Sequence, residues 1–191
     1  MSNEAEAAIG KARAGDMAAF QSLVEQHSRD VFRLAFRITR NEMDAEDAVQ
    51  ETFLKAYQKL GGFDGRSSFG TWLYRITANT SIDVLRRRRR EEGRSDSLDD
   101  ETAAQSRRLA TDDPTPDRLL FSTEVKARLR VALDELTEME RAAFAMRHFE
   151  NFPLAEISQI LGLKESATKQ AVFRAVKKVR RNLEPVMRTT S

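Results

Sequence analysis

From Phe20 onward, apolar residues return at steps of three and four. Phe20, Leu23, Val24, Val31, Leu34, Ala35 and Ile38, with His27 among them, fall on one stripe of a helix. Asp44 is placed to cap a second helix, with Asp47 at the capping-box position, and Ala45, Ala48, Val49, Phe53, Ala56 and Leu60 form its buried face up to Gly61 and Gly62. After a loop at Phe63–Ser68, a third helix turns Phe69, Trp72, Leu73, Ile76, Thr80 and Val84 inward. The pattern resumes with a helix from Pro116 or Asp117 to about Leu136. Thr137 and Glu140 make a T-x-x-E capping box that opens the next helix, through about Phe149. Asn151 and Pro153 mark a turn, Leu154–Leu161 is a short helix, and Gly162 stands where a left-handed residue ends it. A long basic helix follows to about Leu183, stopped before Pro185. No segment alternates with a strand period, so the expected fold class is all-α.

Between the two patterned blocks, residues 91–118 hold only Leu98 and Leu109 as large apolar residues and are broken by Gly93, Pro114 and Pro116. So little can be buried there that chain entropy is not offset. This predicts a flexible acidic linker between two small helical domains, residues 1–90 and 119–191. A single domain with one long loop is the competing arrangement, but loops of that length are uncommon in compact domains. Charge sharpens the division. The net formal charge is only +2, yet residues 1–90 carry 15 Lys/Arg against 12 Asp/Glu, residues 91–118 carry 4 against 9, and residues 119–191 carry 13 against 9. Two mildly basic blocks flank an acidic bridge.

The segment Leu154–Arg181 has the most specific local geometry: a short helix, a tight turn with Gly162 and a second helix, the arrangement of a helix-turn-helix. Ile157, Ile160 and Leu161 face the core, as do Val172, Ala175, Val176 and Val179 of the second helix. From Lys164 to Arg181 that helix has seven basic residues and one acid, Glu165. Its first turns suit a major groove, and its later basic residues suit phosphates. A basic surface helix in a structural bundle is the alternative.

In the first block, Glu42, Asp44, Glu46, Asp47 and Glu51 lie together with no Lys or Arg among residues 41–54. A solvated face or a surface for a basic partner groove explains them better than catalysis. No histidine is near enough to complete a metal set, since His27 and His148 are far apart in sequence. The chain has no cysteine, which excludes disulfides, thiolate metal sites and cysteine nucleophiles and fits a reducing cytoplasm. No stretch approaches the ~20 apolar residues of a membrane span. The acidic, alanine-rich N-terminus is no signal peptide, and no role is assigned to it. No cofactor or metal is expected.

With these pieces in place, DAEDAVQETFLKAYQKL, FDGRSSFGTWLYRITANTSIDVLRRRRR and the helix-turn-helix resemble the extracytoplasmic-function (group IV) sigma factors of the sigma-70 family, in the right order. The resemblance implies a non-enzymatic subunit that binds core RNA polymerase and directs promoter-specific initiation. The first domain would dock on the clamp helices of the largest polymerase subunit through Asp44, Asp47, Gln50, Glu51, Phe53, Lys55 and Tyr57. It would also capture and melt the −10 element. Arg75, Asn79, Asp83 and Arg86 share a polar helix face, and Asn79 matches the position that contacts an extruded base. The loop residues Arg66 and Ser67, with Phe69 and Thr71, would wall the pocket; Trp72 suits core better than a stacking platform. Arg87, Arg88, Arg89 and Arg90 stand where the helix is expected to fray, and their best use is the phosphate backbone beside the opened element.

By position, Glu165, Ser166, Lys169, Gln170, Phe173 and Arg174 would read the −35 element as duplex, while Arg147, Lys177 and Lys178 would meet phosphates. The second domain would also contact the flap of the second largest subunit, and the linker would thread toward the RNA exit path. An anti-sigma factor is an expected further partner. The chain departs from the family's frequent residues at Pro153, Lys164, Ser166, Ala167, Thr168, Gln170 and Ala171, so no −35 sequence transfers from relatives. A stand-alone helix-turn-helix regulator would explain the second block but leave the acidic helix and Thr71–Asn79 without a job. An enzyme such as a phosphodiesterase would need metal-dependent turnover that no histidine cluster or Gly-rich phosphate loop supports.

Overall fold

The computed structural model describes residues 3–92 and 116–188, and the chain divides into two compact units, Met1–Asp96 and Ser97–Ser191. Among the described residues every regular element is helical. In the first unit these are α1 (Asn3–Arg13), α2 (Met17–Thr39), α3 (Glu42–Lys59), a 3-10 turn at Leu60–Gly62 and α4 (Phe69–Glu92). Helices α2, α3 and α4 pack pairwise around Leu23, Val31, Leu34, Ile38, Ala48, Ala56 and Leu73. The anticipated stripes of α2 and α3 are the ones that face inward, although Val24, Val49 and Phe53 are only half-buried.

The junction between α2 and α3 differs from the expected one. Arg40 takes a left-handed conformation (φ 63°) and its N–H donates to the Phe36 carbonyl at 2.9 Å, closing α2. Asn41, not Asp44, caps α3: its Oδ1 accepts from the Asp44 N–H at 3.0 Å. Asp44 therefore sits inside the first turn, where its charge still complements the helix dipole. The other end of α3 tightens into the 3-10 turn rather than stopping at a left-handed glycine.

Helix α1, which the apolar pattern did not announce, buries Ile9 and Ala12 against Phe20, Leu60 and Phe63. Helix α4 is capped by Ser68, whose Oγ accepts from the Thr71 N–H at 3.1 Å. Its inner face is small and polar as well as apolar. Thr77, Thr80 and Ser81 are fully buried. The Thr77 hydroxyl donates to the Leu73 carbonyl at 2.9 Å and the Ser81 hydroxyl to the Thr77 carbonyl at 2.8 Å. Hydroxyls satisfied on their own helix cost little to bury and let α4 lie close to its neighbours. Trp72 is half-buried, in ring contact with Phe63 (5.2 Å) and Phe69 (5.5 Å). The expected fraying of α4 at its arginines is corrected: the helix runs on through Glu92.

The second unit comprises α5 (Pro116–Asp134), α6 (Glu138–His148), α7 (Leu154–Leu161) and α8 (Glu165–Arg188). The linker expected at 91–118 lies mostly outside the described residues; α4 takes in its first two and α5 its last three. The Thr137–Glu140 capping box forms reciprocally, with Thr137 N–H to Glu140 Oε2 at 3.0 Å and Glu140 N–H to Thr137 Oγ1 at 3.3 Å. Asn151 adopts φ 57°, and Pro153 is the N-cap of α7. Gly162 closes α7 at φ 63°, where a side chain would be strained, and its N–H bonds the Ser158 carbonyl. Ile157, Ile160 and Leu161 are buried as expected; on α8, Ala175 and Thr168 are buried while Val176 is exposed. Pro185 does not stop α8 but lies within it, with no N–H to give the carbonyl four residues back.

Candidate nucleic-acid and partner interfaces

The acids of α3 are not bare. Asp44 Oδ2 meets Arg88 Nη1 at 2.7 Å, and Glu51 Oε1 meets Arg87 Nη1 at 2.8 Å. The Lys55 ammonium stands 3.4 Å from Glu51 Oε2, 3.8 Å from Asp83 Oδ2 and 3.4 Å from the Thr80 hydroxyl. Asp83 in turn faces Arg86 at 3.9 Å. The hydrogen bond from Arg87 is the main cause holding the Glu51 carboxyl below its ordinary pKa, against burial that raises it, and the same bond raises Arg87. Several residues expected on two separate surfaces thus form one ladder between α3 and α4.

On its outward side α3 carries a second pattern, Met43, Asp47, Gln50, Leu54 and Tyr57, at steps of four, three, four and three. All five are exposed, Met43 to 76% and Leu54 to 58%. Tyr57 also sets its ring edge-on to Phe20 at 5.0 Å. Met43 and Leu54 were not among the expected site residues; their spacing on the face opposite the alanines was the available signal. Phe53, by contrast, packs partly against the core.

The expected −10 residues divide. Asn79, Asp83 and Arg86 are exposed along α4 and Arg75 is half-buried. Arg66, on the loop, is exposed and pairs with Asp64 at 3.1 Å, while Ser67 and Thr71 are half-buried and Ser68 Oγ donates to Thr71 Oγ1 at 2.9 Å. Phe69 is buried in the core, between Phe63 (5.8 Å) and His27 (5.3 Å), so it supports the loop from beneath. Burial is the main cause lowering the His27 pKa, with Asp30 opposing it.

On α8, Glu165, Ser166, Lys169, Gln170, Phe173 and Arg174 are all exposed, and Phe173 shows 67% of its surface to solvent. Arg174 donates to Gln170 Oε1 at 3.3 Å. Lys177 is exposed, and Arg147 is exposed while donating to the Phe152 carbonyl at 3.1 Å. Lys178 is differently placed. Its ammonium meets Glu140 Oε2 at 2.6 Å and the Glu135 carbonyl at 3.1 Å, and the Glu140 side chain is only 6% exposed. Burial pushes the Glu140 carboxyl up, but Lys178 and the Thr137 N–H together hold it below its ordinary value. Arg181 and Asn182 grip Glu135 at 2.7 and 3.2 Å, so α8 is strapped to the turn between α5 and α6.

Comparison with known proteins gives this geometry a family. Residues 23–91 match Sigma-70 region 2 and residues 126–179 match Sigma-70 region 4. The chain is 30% identical to the RNA polymerase sigma-H factor of Pseudomonas aeruginosa over 94% of both chains. It is 34% identical to the ECF RNA polymerase sigma factor SigE of Mycolicibacterium smegmatis over 87% of this chain and 63% of that one. Among solved structures, the sigma factor RpoE of Bartonella quintana, crystallised with the anti-sigma factor NepR, shares the fold at TM-score 0.66 and 24% identity, covering 86% of this chain and 96% of that one.

Proposed function

The chain belongs to the extracytoplasmic-function group of the sigma-70 family, and from that premise we propose how its surfaces divide the work of promoter-specific initiation. It is an alternative sigma factor and has no catalysis of its own. Residues 1–92 form the unit that docks on core RNA polymerase and opens the −10 element; residues 116–191 form the unit that reads the −35 element; 93–115 link them. Docking falls on α3. Asp44, Asp47 and Glu51 face a basic groove, Gln50 and Lys55 flank them, and Met43, Leu54 and Tyr57 add the apolar area that charge alone does not provide. The clamp helices of the largest polymerase subunit are the partner the family implies.

The −10 face is Arg75, Asn79, Asp83 and Arg86, with Arg66, Ser67 and Thr71 at the loop. Asn79 offers both a donor and an acceptor to an unstacked base. On α8, Glu165, Ser166, Lys169, Gln170, Phe173 and Arg174 enter the major groove, and Arg147 and Lys177 meet phosphates. Lys178 serves this surface by holding Glu140. The reading rests on one observation above all: Glu165, Ser166, Lys169, Gln170, Phe173 and Arg174 are all exposed on the first turns of α8, the second helix of the helix-turn-helix, in a unit separate from the acidic and apolar stripe of α3. The work belongs in the cytoplasm; among the described residues no helix is long and apolar enough to cross a membrane. An anti-sigma factor that covers the docking faces is the further partner.

Fluorescence anisotropy with promoter DNA tests this division. The chain with core polymerase is expected to bind tightly and the free chain weakly. Tight duplex binding by the free chain, unchanged by polymerase, would return the stand-alone regulator.

A further inference from the structure

The five arginines at the end of α4 do not share one fate. We propose that Arg87 and Arg88 are positioning residues for the acidic docking face of α3, and that phosphate contact falls to the other side of the helix, with Arg86, Arg89 and Arg90. The inference deepens the docking role given above to Asp44 and Glu51 and rests on it. Helix geometry supplies the first argument. Val84 is buried against Ala45 and Ala48, and Arg87 and Arg88 follow it by three and four residues, so they rise on the same side, over α3. Arg86, Arg89 and Arg90 rise on the other side, where Asn79 and Asp83 are also exposed. Arg90 Nε donates to the Arg86 carbonyl at 3.2 Å, which keeps that side helical.

The ion pairs supply the second argument. Arg88 reaches a carboxylate whose side chain is 13% exposed, and turning it to DNA would leave Asp44 half-buried without a counter-charge. Arg87 occupies one oxygen of Glu51 and Lys55 stands by the other, which fixes the carboxylate plane. A carboxylate has about four acceptor sites, so lone pairs remain for a partner's cations. Held this way, Asp44 and Glu51 meet a basic groove with fewer rotamers to lose on binding. Alanine at either arginine loosens the face without removing a DNA contact.

The test measures two quantities on the full chain: affinity for core polymerase, and the salt dependence of promoter binding by the assembled holoenzyme. Arg87→Ala and Arg88→Ala are expected to weaken core binding about two- to fivefold, the range of one ion pair that is partly exposed. Lysine at either position restores most of it, and Arg87→Ala adds nothing in a Glu51→Gln background. The slope of log affinity against log salt stays unchanged for both, whereas Arg86→Ala, Arg89→Ala and Arg90→Ala each lower it by about one. Unchanged or tighter core binding by Arg87→Ala and Arg88→Ala, or a slope reduced by about one in either, overturns the proposal. If Glu51→Gln itself binds core normally, the docking assignment falls and this inference with it; if Glu51→Gln is weak but Arg87→Ala is not, only the inference falls.

Discussion

Helices α4 and α8 are each 24 residues long and rich in cations, yet they use them in opposite ways. Helix α4 is embedded: Phe69, Leu73, Thr77, Ala78, Thr80, Ser81, Ile82, Val84 and Leu85 are buried, and two of its terminal arginines are spent on α3. Helix α8 has few buried residues, Thr168 and Ala175 among them, and its cations toward the C-terminus strap it down while its first turns face solvent. A run of basic residues is therefore no footprint of nucleic acid until its partners are known. In α4 the cations nearest a neighbouring acidic helix pair with it; in α8 the cations of the later turns are tied to Glu135 and Glu140, and the exposed first turns are the end suited to a groove.

The sharpest way to break this contrast is at paired apolar positions. Leu73→Ala removes a fully buried side chain from α4 and is expected to cost about 2–5 kcal/mol in denaturant unfolding of the first unit. Phe173→Ala, on the open face of α8, should stay within about 0.5 kcal/mol while changing which promoters are used.

Next comes the strap. Lys178→Met leaves Glu140 buried without its counter-charge and should cost about 1–3 kcal/mol in the second unit. Because the folded pKa of Glu140 lies below its ordinary 4.5, its contribution is fully present above that value and is lost as pH falls through the folded value. Acid titration of unfolding should show that loss in the native chain. In Lys178→Met the folded pKa should rise, so the loss moves to higher pH or disappears.

Smaller effects distinguish reading from gripping. Asn79→Ala should reduce discrimination between promoters about tenfold, read as relative start-site use, whereas Arg89→Ala should weaken all promoters alike. Equal use of all promoters before and after Asn79→Ala would remove the base-capture role. Smallest is Thr137→Ala, which opens the capping box of α6 at a cost of about 1 kcal/mol and should leave promoter choice unaltered.

Much of this architecture was legible in the chain. The three- and four-residue recurrence through α2 and α3, the Thr137–Glu140 box and the left-handed Gly162 are local signals, and local physics decided them. The family-specific motifs then supplied what periodicity could not, the likeness to sigma regions 2 and 4. Other features were hidden because they depend on neighbours. Among the described residues of helix α1, Ile9 and Ala12 are buried and Ala8 packs beside them, too few to show a period. Thr77 and Ser81 read as polar, yet each hydroxyl bonds its own helix and is buried. Asn41 was an available cap signal that the acids after it obscured. The arginine run could not be fully resolved without α3: helix phase sets Arg86 beside Asn79 and Asp83, but only packing shows that Arg87 and Arg88 pair with Glu51 and Asp44.

Run-off transcription by purified core polymerase on genomic fragments, with and without the chain and with start sites mapped, tests whether the chain directs promoter-specific initiation. The expected result is a set of discrete starts that appear only with the chain and share one −10 and one −35 element upstream. Starts that are identical in the two reactions would contradict it.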